Sequence, residues 1–284
     1  MLGFSRRKLS RRNLLSALGA AALAPAVARA ERRVKPSEFF ETVSLDFWLP
    51  GLDPAHDGLV IAQLSDLHIG GGVPDGRVIA AVRALNEAKP DLAMLTGDFV
   101  TMRWDPIERV PQLMSNITAP AYAVLGNHDH WTNPAKVKQG LEGVNIEVLQ
   151  NENTTLRVRG ADFTLIGIDD GHTRHDDTAA AFKGAATGSR LVLTHTPSVA
   201  KKLPAWEGLL CLSGHTHGGQ LDVPRLTEGI FKRVGEPWYR GRYSVRGNQL
   251  YVNRGLGFGN GTKVPRVNSD PELSIITLHR AEPA

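Results

Sequence analysis

Apolar residues along the chain come in short blocks whose period changes. Gly58–Ser65, Leu92–Leu95 and Ala119–Leu125 are nearly unbroken apolar runs of strand length, the pattern of strands buried on both faces of a parallel sheet. Between and after them, Asp75–Lys89 predicts a helix with Val78, Ile79, Val82 and Leu85 on one face, and Pro106–Ile117 and Pro134–Leu141 predict two more. The first half therefore predicts β-α-β-α-β-α, a largely parallel sheet with helices outside. The second half is richer in strand pattern. Thr154–Val158 and Phe163–Ile168 flank Arg159-Gly160-Ala161-Asp162 as a hairpin. A short helix at Thr178–Phe182, a strand at Arg190–Leu193, a helix at Ser198–Leu203 and a strand at Leu209–Leu212 follow. Strands at Tyr243–Val245, Gln249–Asn253 and Leu273–His279 close the chain. Val43–Phe47 predicts an edge strand inside the polar and aromatic lead-in Glu31–Asp57, and the Gly- and Pro-rich stretch Gly255–Pro265 predicts a long loop.

The first thirty residues break this pattern. Arg6, Arg7, Lys8, Arg11 and Arg12 precede the apolar run Leu14–Ala28, which Ser16, Gly19 and Pro25 interrupt and Ala28-Arg29-Ala30 ends. The run is short for a membrane span and ends in a small-x-small cleavage pattern. Ser10-Arg11-Arg12-Asn13-Leu14-Leu15 resembles a twin-arginine export signal, so residues 1–30 are expected to be a signal peptide handled by the twin-arginine export machinery, with an ordinary secretory signal and an uncleaved anchor as the competing readings. An exported product at the periplasm or outer face of the cytoplasmic membrane follows, with residues 31–284 forming one domain.

Charge changes meaning once that segment is set aside. The 284-residue chain is 42% hydrophobic and 22% charged, with 33 Lys and Arg against 29 Asp and Glu. Six of those bases and no acid lie in residues 1–30, which leaves 27 bases against 29 acids, a net charge of −2. The excess of base belongs to the leader, so no nucleic-acid partner is expected. Cys211, the only cysteine, excludes an internal disulfide and a thiolate metal cluster, and its apolar surroundings suit a small buried side chain.

Candidate chemistry sits at the ends of the expected strands. Asp66 and His68 close the first run. Thr96-Gly97-Asp98, Gly126-Asn127-His128-Asp129, Thr194-His195 and Gly214-His215-Thr216-His217-Gly218-Gly219 follow further strands in the same way. In parallel-sheet folds ligands gather beyond the carboxyl ends of the strands. Asp66, His68, Asp98, Asn127, His195, His215 and His217 supply oxygen and imidazole donors without sulfur. That set suits Mn, Fe, Zn or Co and exceeds what one ion can use.

These five blocks, in this order, resemble the calcineurin-like metallophosphoesterase superfamily. Gly-His-Thr-His-Gly-Gly-Gln at 214–220 and Tyr251–Gly257 are similar to its bacterial exported branch, which includes phosphodiesterases and hydrolases of the UDP-linked diacylglucosamine precursor of lipid A. The resemblance implies an α/β fold, a four-layer α/β/β/α sandwich of two mixed sheets flanked by helices. It implies two divalent or trivalent ions, the first on Asp66, His68, Asp98 and His217, the second on Asp98, Asn127, His195 and His215, with Asp98 bridging. It also implies a hydroxide shared by the ions attacking a phosphodiester or pyrophosphate in a small-molecule or lipid-linked substrate, His128 as the acid for the leaving group and Asp129 orienting His128. A nuclease or nucleotide phosphatase, and a metal-bound envelope binding module without turnover, are the alternatives.

Other polar clusters carry blander readings. Asp169–Asp177 is expected to be a solvated loop in which Asp176 or Asp177 caps the next helix, with His172 at the pocket rim as a minor alternative. His56 and His279 are expected to be structural. His130 and Trp131 either line the pocket or pack. Arg225–Arg246 interleaves Arg225, Lys232, Arg233, Arg240, Arg242 and Arg246 with aromatic residues. It is expected to be a solvated loop-and-strand face, with peripheral contact to an anionic membrane or a nucleotide-lipid head group as the second reading.

Overall fold

The computed structural model describes residues 39–102, 105–259 and 265–281. The expected signal peptide, residues 1–30, lies outside the described residues. The strands are β1 (Glu41–Leu49), β2 (Leu59–Leu64), β3 (Leu92–Thr96), β4 (Ala121–Val124), β5 (Ile146–Val148), β6 (Glu152–Val158), β7 (Ala161–Ile168), β8 (Ser189–Thr194), β9 (Leu210–Ser213), β10 (Gly241–Val245), β11 (Asn248–Val252) and β12 (Glu272–Arg280). One sheet runs β1-β12-β2-β3-β4-β5 and the other β10-β11-β9-β8-β7-β6. β2 to β5 are mutually parallel, as are β7, β8, β9 and β11, while β12 opposes β2 and the edge strands β6 and β10 oppose their neighbours.

Strand alternation builds the layers. Leu59 and Ile61 of β2, Leu92 and Met94 of β3 and Val124 of β4 face Phe163 and Leu165 of β7, Leu191 and Leu193 of β8 and Leu210 and Leu212 of β9 in one core between the sheets. Ala62, Leu64, Ala93, Leu95 and Ala123 face the other way, onto α1 (Asp75–Glu87), α2 (Arg109–Met114) and α4 (Pro134–Glu142). On the far side, Ile166, Ile168, Val192, Cys211, Leu250 and Val252 pack against α5 (Thr178–Phe182) and a 3-10 turn at Pro197–Lys202. The expected four-layer α/β/β/α sandwich results, and Cys211 is buried in it.

Several expectations shift locally. On α1 the buried stripe is Val78, Ala81, Val82 and Leu85, whereas Ile79 is exposed, because i, i+3, i+4 and i+7 from Val78 bypasses it. The expected helix 106–117 begins with i→i+3 turns, Arg109 N donating to Pro106 O and Val110 N to Ile107 O, before α2 forms. The helix expected at Ser198–Leu203 is the 3-10 turn Pro197–Lys202. Strand β5 and the helices α3 (Asn127–Thr132) and α6 (Leu226–Arg233) are elements that the expected pattern lacks. α6 replaces part of the expected loop-and-strand face, so that expectation is corrected. Lone histidines behave as expected: His56 is buried between Ser189 Oγ (2.7 Å) and Val158 O (2.9 Å), and His279 lies 2.8 Å from Asp46 and stacks on Trp48.

Candidate metal centre

The carboxyl ends of β2, β3, β4, β8 and β9 reach one rim of the sandwich, and the loops that leave them are laced together by backbone bonds. Asp66 N donates to Gly97 O, His68 N to Asp98 O and Gly214 N to His195 O. Gln63, buried in β2, donates to Thr96 Oγ1 and to Ser213 O, 3.0 Å each, so one side chain joins the two sheets just beneath the rim.

All seven expected ligand residues arrive there. The ligand atoms of Asp66, His68, Asp98 and His217 lie within 4.8 Å of one another, and all four residues are buried. His68 Nε2 is 3.1 Å from His217 Nε2, and His217 Nε2 is 3.4 Å from Asp66 Oδ1. On the other side of Asp98, Asn127 Oδ1 lies 2.8 Å from His215 Nδ1 and 3.2 Å from His195 Nε2, with the two imidazoles 3.3 Å apart. Asp98 Oδ2 stands 3.6 Å from His68 Nε2 and 3.3 Å from His195 Nε2. Buried nitrogens and oxygens that crowd so closely, without thiolates, make the donor set that hard and borderline cations take.

Tautomers are set from outside the cluster. His195 Nδ1 donates to the Thr96 carbonyl, 2.7 Å away, which leaves Nε2 as its lone-pair atom. His68 Nδ1 meets Thr101 Oγ1 at 3.0 Å, so Nε2 turns inward there too. Asp66 accepts from Ser65 Oγ (2.6 Å) and from the His215 amide, while Asp98 Oδ1 accepts from the His128 amide (2.8 Å). Oδ2 of Asp98 is thereby left to both donor groups.

Backbone strain marks the same residues. Five of the seven, Asp66, His68, Asp98, His215 and His217, have φ between 49° and 74°, a left-handed region that costs a non-glycine residue about 1–3 kcal/mol. Close loop packing imposes it. A Cβ on Gly126 would fall 2.6 Å from Asp98 N, and one on Gly255 would fall 2.6 Å from Asp66 Cβ. The 253–257 turn after β11 is clamped there by Leu256 N donating to Ser65 O and Gly257 N to Asp66 O.

Burial governs the charges. It raises the Asp66 carboxyl to about 6 and pushes the His68 and His215 imidazoles down to about 3. Burial raises Asp98 as well, but the neighbouring His195 outweighs it and holds Asp98 below the carboxylate range. Burial likewise opposes protonation of His195, yet Asp98 lifts it well above its ordinary value. A set of mutually adjusted carboxylates and imidazoles enclosed in this way suits an added positive charge.

His128 and Asp129 do not pair as expected. His128 Nδ1 donates to the Thr101 carbonyl at 2.7 Å, so a backbone oxygen orients the ring. The Asp129 carboxylate instead accepts four backbone amides. Oδ2 takes Asp98 N and Gly126 N, both 2.9 Å, and Oδ1 takes Phe99 N (2.9 Å) and Val100 N (3.2 Å). Burial, with Asp98 nearby, raises Asp129 to about 7, but four donors aimed at four lone-pair positions favour the ionised form. Asp129 ties the Asp98 loop to the start of α3; the expectation that it orients His128 is corrected.

In the expected solvated loop 169–177, His172, Arg174, His175 and Asp177 are exposed, and only the first two residues are buried. Asp169 and Asp170 are buried, Asp169 lying 2.7 Å from His130 Nε2 and Asp170 accepting from Thr173 and Thr196. Asp177 caps α5, accepting from Ala180 N. His172 approaches His215 at 4.9 Å between ring centroids, and Trp131 stands edge-on to both His172 and His128. These two rings form an open wall beside the centre. Ser65, Thr101 and Arg266, whose Nη2 is 3.0 Å from His217 Nδ1, are supporting residues without a sequence signal, since two of them work through local or backbone contacts and Arg266 comes from a distant loop.

Residues 59–219 match the family described as calcineurin-like phosphoesterase. The chain belongs to that family. Calcineurin-like phosphoesterases are metal-dependent hydrolases of phosphoric esters, and the matched span contains every residue of the centre from Asp66 to His217. The chain is 29% identical to the uncharacterized metallophosphoesterase YkuE of Bacillus subtilis over 96% of this chain and 98% of that protein. It is 30% identical to the phosphodiesterase YaeI of Escherichia coli over 77% of this chain and 81% of that one. The UDP-2,3-diacylglucosamine pyrophosphatase LpxG of Chlamydia trachomatis is 26% identical over 77% of this chain and 83% of its own length.

Proposed function

We propose that this calcineurin-like phosphoesterase hydrolyses phosphodiesters or pyrophosphates, lipid- or nucleotide-linked, with two cations sharing Asp98. The observation that carries the reading is the position of Asp98 Oδ2, within 3.6 Å of His68 Nε2 on one side and 3.3 Å of His195 Nε2 on the other. Asp66, His68, Asp98 and His217 would hold one cation, and Asp98, Asn127, His195 and His215 the other. Bound there, the cations would supply Lewis-acid polarisation of the phosphoryl group and an ionised water as nucleophile.

The remaining work falls to side chains around that centre. His128 keeps its Nδ1 proton on the Thr101 carbonyl, so the Nε2 of its half-buried ring is the atom that would take up a second proton and pass it to the leaving oxygen. The Asp129 cradle keeps the Asp98 backbone in its left-handed turn and the His128 amide keeps the carboxylate turned. The phosphodiesterase YaeI and the pyrophosphatase LpxG, both similar to this chain, support a diester or pyrophosphate substrate. Residues 1–30 support export by the twin-arginine route; secretion that persists after Arg11 and Arg12 are both replaced by Lys would sink that part.

The decisive assay loads the full chain with Mn and measures hydrolysis of an activated aryl diester and of a UDP-linked lipid pyrophosphate. Turnover is expected, with Asp98→Asn losing it together with bound metal. No hydrolysis of either compound at saturating Mn, or full activity in Asp98→Asn, overturns the proposal.

A further inference from the structure

Helix α6 carries its apolar stripe on the wrong side for a globular protein. Thr227 is its only buried residue, fixed by Val223 N donating to its hydroxyl and by that hydroxyl donating to Leu221 O. Phe231 anchors the same side by stacking on Tyr239 at 5.3 Å. Leu226, Ile230 and Val234, spaced four residues apart, lie on the adjoining face and are 60%, 52% and 66% exposed. Leu221 and Val223, just before the helix, are exposed as well. A surface helix ordinarily turns such a stripe inward. Here half of the exposed large hydrophobic residues among those described fall between 221 and 234.

Charge around the stripe indicates what covers it. Asp222 pairs with Arg240 at 2.7 Å and Glu228 with Lys232 at 2.6 Å, so the acids of the segment are neutralised at home. Arg225 and Arg233 are exposed and have no ion pair among the described residues; Arg233 is one position from Val234 and three from Ile230. Apolar side chains with cations at their border are the features of a helix lying in a membrane interface. The face also adjoins the metal centre. A cavity of about 340 Å³ is lined by His215 and His217 together with Leu221 and Phe231.

We propose that α6 docks this chain on an anionic lipid bilayer, with Leu226, Ile230 and Val234 in the interface and Arg225 and Arg233 against lipid phosphates. The docked helix sets the mouth of the cavity at head-group level, where a phosphoester carried by a lipid reaches the centre without leaving the bilayer. That consequence for the substrate rests on the function proposed above; the docking does not.

A probe placed on α6 reads its contact separately from any contribution of residues 1–30. Because Cys211 is buried, Ile230→Cys in the full chain gives one accessible thiol for an environment-sensitive dye, and Glu147→Cys on the edge strand β5 gives a control. Brominated-lipid vesicles of phosphatidylglycerol and phosphatidylethanolamine are expected to quench the dye at 230 and spare the dye at 147, with far less quenching on phosphatidylcholine. Each arginine near an anionic surface is worth about fivefold in binding, so Arg225→Gln with Arg233→Gln should raise the lipid needed for half-quenching about 30-fold. Position 230 left unquenched on anionic vesicles, quenching unaffected by the double replacement, or dye shielding that follows protein concentration without lipid, which would assign the face to a second copy, each overturns the docking. Turnover of a soluble aryl diester is measured in parallel. Turnover without quenching removes only the docking, and quenching without turnover removes only the hydrolase.

Discussion

Replacing Asp129 by Asn separates the two roles open to that residue. Its carboxylate accepts from the amides of Asp98, Phe99, Val100 and Gly126, with all four donors between 2.9 and 3.2 Å. Asn keeps one oxygen and so two acceptances, and it turns an NH2 group against the other two amides. A hydrogen bond to a charged acceptor contributes about 1.5–3 kcal/mol, so losing two costs about 3–6 kcal/mol. Against a total stability of about 5–15 kcal/mol this is a large fraction. With a urea dependence of about 3 kcal/mol/M, the unfolding midpoint falls by about 1–2 M. Two of the four amides belong to Asp98 itself and to Phe99 beside it, so the left-handed turn at Asp98 loosens and metal affinity drops about 10- to 100-fold. Alkyl and aryl esters should lose activity in equal proportion, because His128 is held by Thr101 and not by Asp129. Equilibrium urea unfolding, metal content after dialysis and paired assays on the two ester types give the answer. An unchanged midpoint, or a loss confined to alkyl esters, would refute the cradle and restore Asp129 as the partner of His128.

His128→Gln is expected to keep its metal and to lose about 10²- to 10⁴-fold on alkyl esters, with a much smaller loss on activated aryl esters; equal losses would remove His128 as the acid. Gly214→Ala drives a methyl group into Ser65 Oγ and Asp66 Oδ2, so metal content measured by elemental analysis should fall while far-UV circular dichroism stays unchanged, and full metal occupancy would contradict the packing described. Chelation withdraws about 2.7 kcal/mol per site if each cation is present at a hundred times its Kd. For a chain of this size that is a fall in Tm of about 5–10 °C per site, reversed by adding Mn. A Tm that stays put in metal-stripped protein would argue that the donors stand preformed without needing the charge.

Local chemistry made the centre legible. Apolar runs ending in Asp, Asn and His announced strands that carry donors at their carboxyl ends, and all seven donors lie together. α3 escaped notice because its first turn is made of the donor block itself, whose polar residues serve the centre and the Asp98 loop and leave no amphipathic period. Asp169 and Asp170 depart from the exposed loop expected around them for the opposite reason: they look like solvent-seeking residues until His130 and Thr196 arrive from elsewhere, and Thr173 folds back, to satisfy them. Ile79 shows how a single position slips when an apolar face is drawn too wide.

The sequence by itself determined which strands are buried, which residue types cluster at their ends and which cations suit them, because those properties follow from spacing and donor chemistry within a few neighbouring residues. Only the tertiary structure decided that Asp129 clamps the Asp98 loop, that Thr101 holds His128 and that α6 faces outward. Each of these depends on where a backbone amide, a carbonyl or an uncovered face sits after distant segments have packed, and those groups are the same in every residue or neutral to local pattern.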